Sequence, residues 1–277
     1  MTSLPGEPGV LRERPPRDPD GTWFRRFHPA ARPRARLLCF PHAGASASAY
    51  FAMSAALANA EPKLDVVAVQ YPGRQDRRRE PLIDDIPTLA DRIHDALDGW
   101  TDLPIALFGH SMGATVAFEV ARRLEKAGTA IRALFVSGRR APSRARPERV
   151  HLGDDASVIA EVERLSGADA RILRDPEMAR FLLPALRADY RAIERYRCPE
   201  AARLGCPISV FTGDADPLTT VDEAAAWDDH TTEAATLDVF PGGHFFVNAH
   251  VDRIAALVRD RLAGLDGAPS ASRAAPA

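Results

Sequence analysis

Short apolar runs alternate along the chain with longer stretches in which apolar residues recur every three or four positions. The short runs are Arg36 to Phe40, Leu64 to Gln70, Ile105 to Phe108, Ala133 to Ser137, Ile208 to Thr212 and Thr236 to Phe240. Near-continuous apolarity over so few residues is what a strand needs when both of its faces are covered. The runs therefore predict an α/β fold: a mostly parallel sheet with helices on both faces. Ile86 to Trp100 places Leu89, Ile93 and Leu97 four residues apart on one side, with Asp and Arg on the other. Met112 to Lys126 is more apolar and predicts a helix packed near the sheet centre.

The alternation breaks between about 143 and 200, where no strand pattern occurs. A helix-like run, SVIAEVERLSG, precedes a second, DPEMARFLLPALRADYRAIERYR, whose Asp175 and Pro176 suit an N-cap and a first helical position. Pro184 should kink or split that second helix, because it has no N–H for the interior hydrogen bond. A helical insertion between two strands predicts a lid over the sheet edge. Residues 1–20 are crowded with Pro, Gly and charge and read as a flexible arm, 21–265 as one domain, and 266–277 as a disordered tail.

Composition narrows the function classes. Of 277 residues, 45% are hydrophobic, enough for a sizeable core. No apolar stretch reaches the ~18 residues of a membrane span, and none follows Met1, so the reading is a soluble cytoplasmic protein with no membrane partner. With 36 basic and 38 acidic side chains the net charge is −2, which gives no global attraction to nucleic acid. Cys39, Cys198 and Cys206 are too few and too scattered for a disulfide framework or a four-cysteine zinc site.

The sharpest chemical signal is Gly109-His110-Ser111-Met112-Gly113, set between the run PIALF and the predicted helix. A serine on a tight strand-to-helix turn projects its hydroxyl into a cleft, and side chains at the flanking glycines would collide with nearby backbone. That hydroxyl needs a base, and the base needs a group that fixes its tautomer. Asp216 in TGDADPL and His244 in PGGHFF follow two predicted strands in the order serine, acid, histidine, which sets both at the sheet edge where such folds bind ligands. Asp214 is the alternative acid and His42 the alternative base, while His110 adjoins the serine and should point elsewhere. Acyl transfer also needs backbone N–H donors for the oxyanion; Met112, after the serine, and Ala43, in the loop FPHAGAS, are the candidates.

FPHAGAS, YPGR at Tyr71 to Arg74, GHSMGA, GDADP and GGHFF, in this order from about residue 23 to 262, resemble the stand-alone type II thioesterases that accompany polyketide synthases and nonribosomal peptide synthetases. The resemblance implies an α/β-hydrolase fold with a Ser111–Asp216–His244 triad and a lid at 143–200. It implies hydrolysis of aberrant or stalled acyl groups from the phosphopantetheine arm of an acyl or peptidyl carrier protein. The serine mechanism requires no metal or tightly bound cofactor and the sequence shows no site for one; the reading is a monomer. Two positions depart from the family pattern: Gly44-Ala45 replaces a double glycine, and Gln75 stands where an acidic residue is usual. An acidic carrier would favour local basic surface, for which Arg74, Arg77, Arg78 and Arg79 form one candidate cluster and Arg139, Arg140, Arg144, Arg146 and Arg149 another. Competing readings of the same residues are a carboxylesterase or lipase acting on small esters, and a non-catalytic protein that docks on a synthase.

Overall fold

The computed structural model describes residues 22–58, 60–166 and 172–266. The proposed arm and residues 267–277 of the proposed tail lie outside them. Seven strands form one sheet: β1 (Phe24–Arg25), β2 (Ala35–Phe40), β3 (Leu64–Val69), β4 (Ile105–His110), β5 (Ile131–Ser137), β6 (Ile208–Gly213) and β7 (Ala235–Phe240), in the order β1-β3-β2-β4-β5-β6-β7. Every pairing is parallel except that of β1 with β3. The helices are α1 (Phe51–Ala58), α2 (Ile86–Ala96), α3 (Met112–Lys126), α4 (Asp155–Ser166), α5 (Pro176–Arg195), α6 (Val221–Ala225), α7 (Phe246–Ala249) and α8 (Val251–Asp266).

The strands read as unbroken apolar runs because alternate residues feed two different cores. Leu38, Val67, Leu107 and Leu134 face one way, onto α2 and α3 through Leu89, Ile93, Val116 and Val120. Leu37, Val66, Phe108 and Phe135 face the other way, onto α1 and α8 through Met53, Leu57, Ile254 and Val258. A third, smaller cluster joins α4 to α5: Val158, Leu173, Ala179, Leu183 and Leu186. With β2 to β7 all parallel, the loops after β2, β4, β5, β6 and β7 leave the same edge of the sheet.

Three details depart from the sequence reading. β1 is an additional antiparallel strand, only two residues long and too short to show a period. The helix predicted to run to Trp100 ends at Ala96, where Leu97 caps it and Gly99 turns the chain at φ +85°. Pro184 does not split α5, which runs unbroken from an N-cap at Asp175 whose carboxylate accepts from Glu177 and Met178 amides. Pro184 and Arg180, whose carbonyl loses its i+4 donor, both lie on the exposed side of the helix, where water can solvate that carbonyl.

The proline still forfeits one helical hydrogen bond. Pro184→Ala is expected to raise stability by about 1–2 kcal/mol after the greater freedom of the unfolded chain is allowed for, read as a higher urea midpoint with unchanged slope.

Candidate active site

β4 ends at His110 and α3 begins at Met112, so Ser111 alone makes the turn between them. It does so at φ +55° and ψ −121°, a conformation that L-residues rarely adopt, and its N–H is anchored on the Ser137 carbonyl at 2.8 Å. The flanking glycines are required by space. A Cβ on Gly109 would collide with the Gly113 carbonyl, and one on Gly113 with the Phe40 carbonyl.

The loops after β6 and β7 bring the other two residues to this turn. His244 Nδ1 lies 2.9 and 3.1 Å from the two carboxylate oxygens of Asp216, and His244 Nε2 lies 2.9 Å from Ser111 Oγ. A carboxylate only accepts, so Nδ1–H donates to Asp216 and Nε2 presents its lone pair to the Ser111 hydroxyl. Asp216 is held in turn by the Leu218 N–H at 2.8 Å. The alternative acid, Asp214, accepts instead from the Gly242 N–H at 2.9 Å and ties the two loops together.

Neither rival histidine is in a position to act as the base. His42 Nδ1 donates to the Ala43 carbonyl at 3.0 Å, and His110 Nδ1 is 2.9 Å from the Ser137 hydroxyl. The His110 ring packs beside that of His244 at 5.1 Å between centroids. Burial pushes the His42 pKa down to about 4, and burial together with the neighbouring histidines holds His110 well below the usual imidazole range. Both are neutral at pH 7, so neither opposes a positive charge on His244.

A cavity of about 420 Å³ opens on this group. Ser111, His244, Met112 and Ala43 line it, so the two residues whose amides the sequence offers border the same space as the serine. Met112 is the first residue of α3, where an N–H has no intrahelical acceptor and the helix dipole favours negative charge. Val162 from α4 and Leu186, Tyr190 and Ile193 from α5 also line the cavity, which sets α4 and α5 at the same sheet edge as Ser111. A second cavity of about 230 Å³ adjoins it past Ala43, Gly44 and Ala45. Ala45, one of the two departures from the family pattern, lines that second cavity. The other departure, Gln75, reaches Ser48 Oγ at 3.3 Å.

The two arginine clusters are largely taken up in the structure. Arg74 and Arg77 are buried, Arg74 on Asp189 and Arg77 on Glu80 and the Gln70 carbonyl, which leaves Arg78 and Arg79 exposed. In the other cluster Arg140 pairs with Glu148 at 2.6 Å, and Arg146 with Glu223. Arg139 lines the cavity beside Ser111, and burial lowers its pKa to about 10. Asp189, on α5, was missed in the sequence: an acidic residue on an amphipathic helix reads as solvent-facing, and its partners lie far away along the chain.

A mostly parallel sheet with a serine turn after its central strand and an acid and a histidine on later loops has the architecture of the α/β-hydrolases. Within that class the chain belongs to the thioesterase domain family, whose model matches residues 35–262. It is 51% identical over 254 residues to a probable cadicidin biosynthesis thioesterase of Streptomyces griseus, covering 92% of this chain and 70% of that protein. Thioesterase PikA5 of Streptomyces venezuelae is 45% identical over 263 residues, with 94% and 92% covered. Among solved structures it is similar to the type II thioesterase BorB from the borrelidin biosynthetic cluster, at a TM-score of 0.81 and 48% identity over 87% of this chain and 98% of that one.

The histidines held neutral in the fold make stability depend on pH. His42, His110 and His230 all titrate below the ordinary 6.5, so the unfolded chain binds more protons than the folded one as pH falls. Their contribution is complete above about pH 6.5 and is lost progressively towards pH 4. Urea midpoints measured from pH 7.5 to 4 are expected to fall across that window.

Proposed function

We propose that this thioesterase hydrolyses acyl groups from the phosphopantetheine thiol of acyl or peptidyl carrier proteins, clearing aberrant or stalled chains from a polyketide or nonribosomal peptide synthase. The observation that supports the reading most directly is the Ser111–His244–Asp216 relay, in hydrogen-bonding register at the mouth of a cavity, in a chain whose relatives are thioesterases of biosynthetic clusters.

In this reading His244 Nε2 takes the Ser111 proton as Oγ attacks the thioester carbonyl. Asp216 holds the ring in the required tautomer and stabilises the imidazolium. The amides of Met112 and Ala43 stabilise the oxyanion as negative charge develops. The C–S bond breaks, and the pantetheine thiolate leaves with the proton from His244. Water, deprotonated by the same His244, then attacks the acyl-Ser111 ester, and Ser111 recovers its proton as the carboxylic acid departs. Neutral His110 and His42 matter here, because a second positive charge beside His244 would raise the energy of the imidazolium.

The carrier's approach is assigned to a groove of about 790 Å³ between the turn at 73–79 and α5. Exposed Arg78, Arg79 and Arg180 line it together with Phe181 and Leu82, and it borders Gly44, which also lines the second cavity. A basic rim with apolar residues between its charges suits the acidic carrier that the resemblance implies.

Ser111→Ala is expected to lower carrier-thioester hydrolysis by on the order of 10³-fold or more without changing the melting temperature; retained hydrolysis would remove the basis of this reading. The docking face has its own check. Charge reversal at Arg78 and Arg79 is expected to raise KM for an acyl carrier substrate on the order of fivefold while leaving hydrolysis of a free pantetheine thioester unchanged. The wild-type association rate should fall with added salt.

A further inference from the structure

We infer that Arg139 biases the site towards acyl chains that carry an oxygen acceptor, a carboxylate above all, relative to hydrocarbon chains of the same shape. The inference rests on the hydrolytic reading of the site and on the carrier's arm arriving past Gly44, which leaves the cavity of about 420 Å³ to the acyl group. It starts from strand register. His110, the last residue of β4, lies opposite Ser137, the last residue of β5, and the Ser111 N–H is anchored on the Ser137 carbonyl. Arg139 follows Ser137 by two positions, so the loop after β5 brings it to the same sheet edge, where it lines the cavity together with Ser111 and His244. The backbone there is tied down. The Gly138 N–H donates to the Phe211 carbonyl at 2.9 Å, and the Arg139 carbonyl accepts from Trp227 Nε1 at 2.8 Å.

The guanidinium, by contrast, is left over. Arg146 and Arg164, which also line the cavity, pair with Glu223 and Glu161. The other carboxylates on the wall are engaged too: Glu148 by Arg140, and Glu194 by the N–H groups of Val150 and His151. The Arg139 side chain makes no hydrogen bond and no ion pair with any described residue. None of its nitrogens is sealed away from open space either. The space it borders is the cavity and a recess of about 20 Å³ that shares Glu148, Ile193 and Glu194 with it.

A stabilising role does not explain such a group. Burial lowers its pKa only to about 10, so at pH 7 it is a cation that has lost part of its hydration without gaining a counter-ion, which costs the fold stability. Polar groups withdrawn from water are almost always paired in native proteins, so an exception on the wall of a cavity points to a partner that arrives with the substrate. A carboxylate fits the guanidinium fork with two parallel hydrogen bonds, and a ketone oxygen accepts one. A hydrocarbon chain in the same place would displace the remaining water and leave the charge bare. Val150, Val162 and Leu186, on the same cavity, suit the methylenes that lead up to the oxygen.

The test uses two matched sets of pantetheine thioesters. Glutaryl, 5-oxohexanoyl and 5-methylhexanoyl chains place two oxygens, one oxygen and none on the same carbon. Succinyl, 4-oxopentanoyl and 4-methylpentanoyl chains do so one methylene nearer the thioester. In at least one set, Arg139→Leu is expected to lower the ratio of kcat/KM for the carboxylate over the hydrocarbon chain by on the order of 30-fold, and for the ketone over the hydrocarbon by about tenfold. Arg139→Lys keeps the charge without the fork and should fall between wild type and Arg139→Leu on the carboxylate. The Arg139 side chain has no partner to lose, so both variants are expected to melt no lower than wild type. Ratios unchanged in both sets would overturn the proposal, whether activity is untouched or falls equally on every chain, because an equal fall would put Arg139 on the pantetheine that all six substrates share. If Arg139→Leu does not fold, Arg139→Gln decides by the same ratios. Ser111→Ala separates the two levels: activity without Ser111 overturns the hydrolytic reading itself, whereas an inactive Ser111→Ala beside an Arg139→Leu enzyme of unchanged acyl preference overturns only the role of Arg139.

Discussion

The close approach of α3 to the end of β2 governs the geometry of the sheet edge that carries Ser111. The first turn of α3 sits so near the Phe40 carbonyl that no side chain fits at position 113. That carbonyl is satisfied from elsewhere, by the Tyr50 hydroxyl at 2.6 Å. Because the backbones touch at this point, the serine turn and the loop that begins at Pro41 are held against each other without intervening side chains, whose rotamers would add slack. The serine turn and the loop at 41–45 thereby meet main chain to main chain. The unusual dihedrals of Ser111 persist because the anchor on Ser137 and the packing of α3 over-determine them.

Electrostatics complete what packing begins. Three imidazoles, those of residues 42, 110 and 244, gather at one edge of the sheet, and only His244 faces a carboxylate. Burial keeps the other two neutral, so they add shape and polarisability beside the relay but no competing charge. His110 even leaves Nε2 buried without a partner among the described residues. That is tolerable for a neutral ring nitrogen and would be costly for a charged one.

The sheet and the relay were largely legible in the sequence because their signals are local. An apolar run bounded by turns is a strand wherever it falls, and a serine between two glycines after such a run has few other uses. Of the two acids the sequence offers, Asp216 lies against His244 and Asp214 accepts from the Gly242 N–H. What failed was either too short or too distant. β1 has only two residues, the end of α2 hangs on one glycine, and Pro184 is harmless only because its side of the helix meets water. The arginine clusters misled for a second reason. Adjacent basic residues look like surface, yet Arg74 pairs with a carboxylate 115 positions away, and no local pattern announces such a partner.

The roof of the cavity has a small apolar nucleus of its own, separate from the two that flank the sheet. Substitutions that reshape Val162 or Leu186 therefore draw mainly on that nucleus and leave the sheet's interior untouched, whereas Ile193 belongs to the core on the α2 and α3 side of the sheet. Such a division gives natural selection room to vary the size and form of the acyl chain accepted while the chemical machinery below stays fixed. The contact between α5 and the loop at 42–45 sets the boundary of that freedom, since remodelling there would also disturb the main chain beside the Ser111 turn.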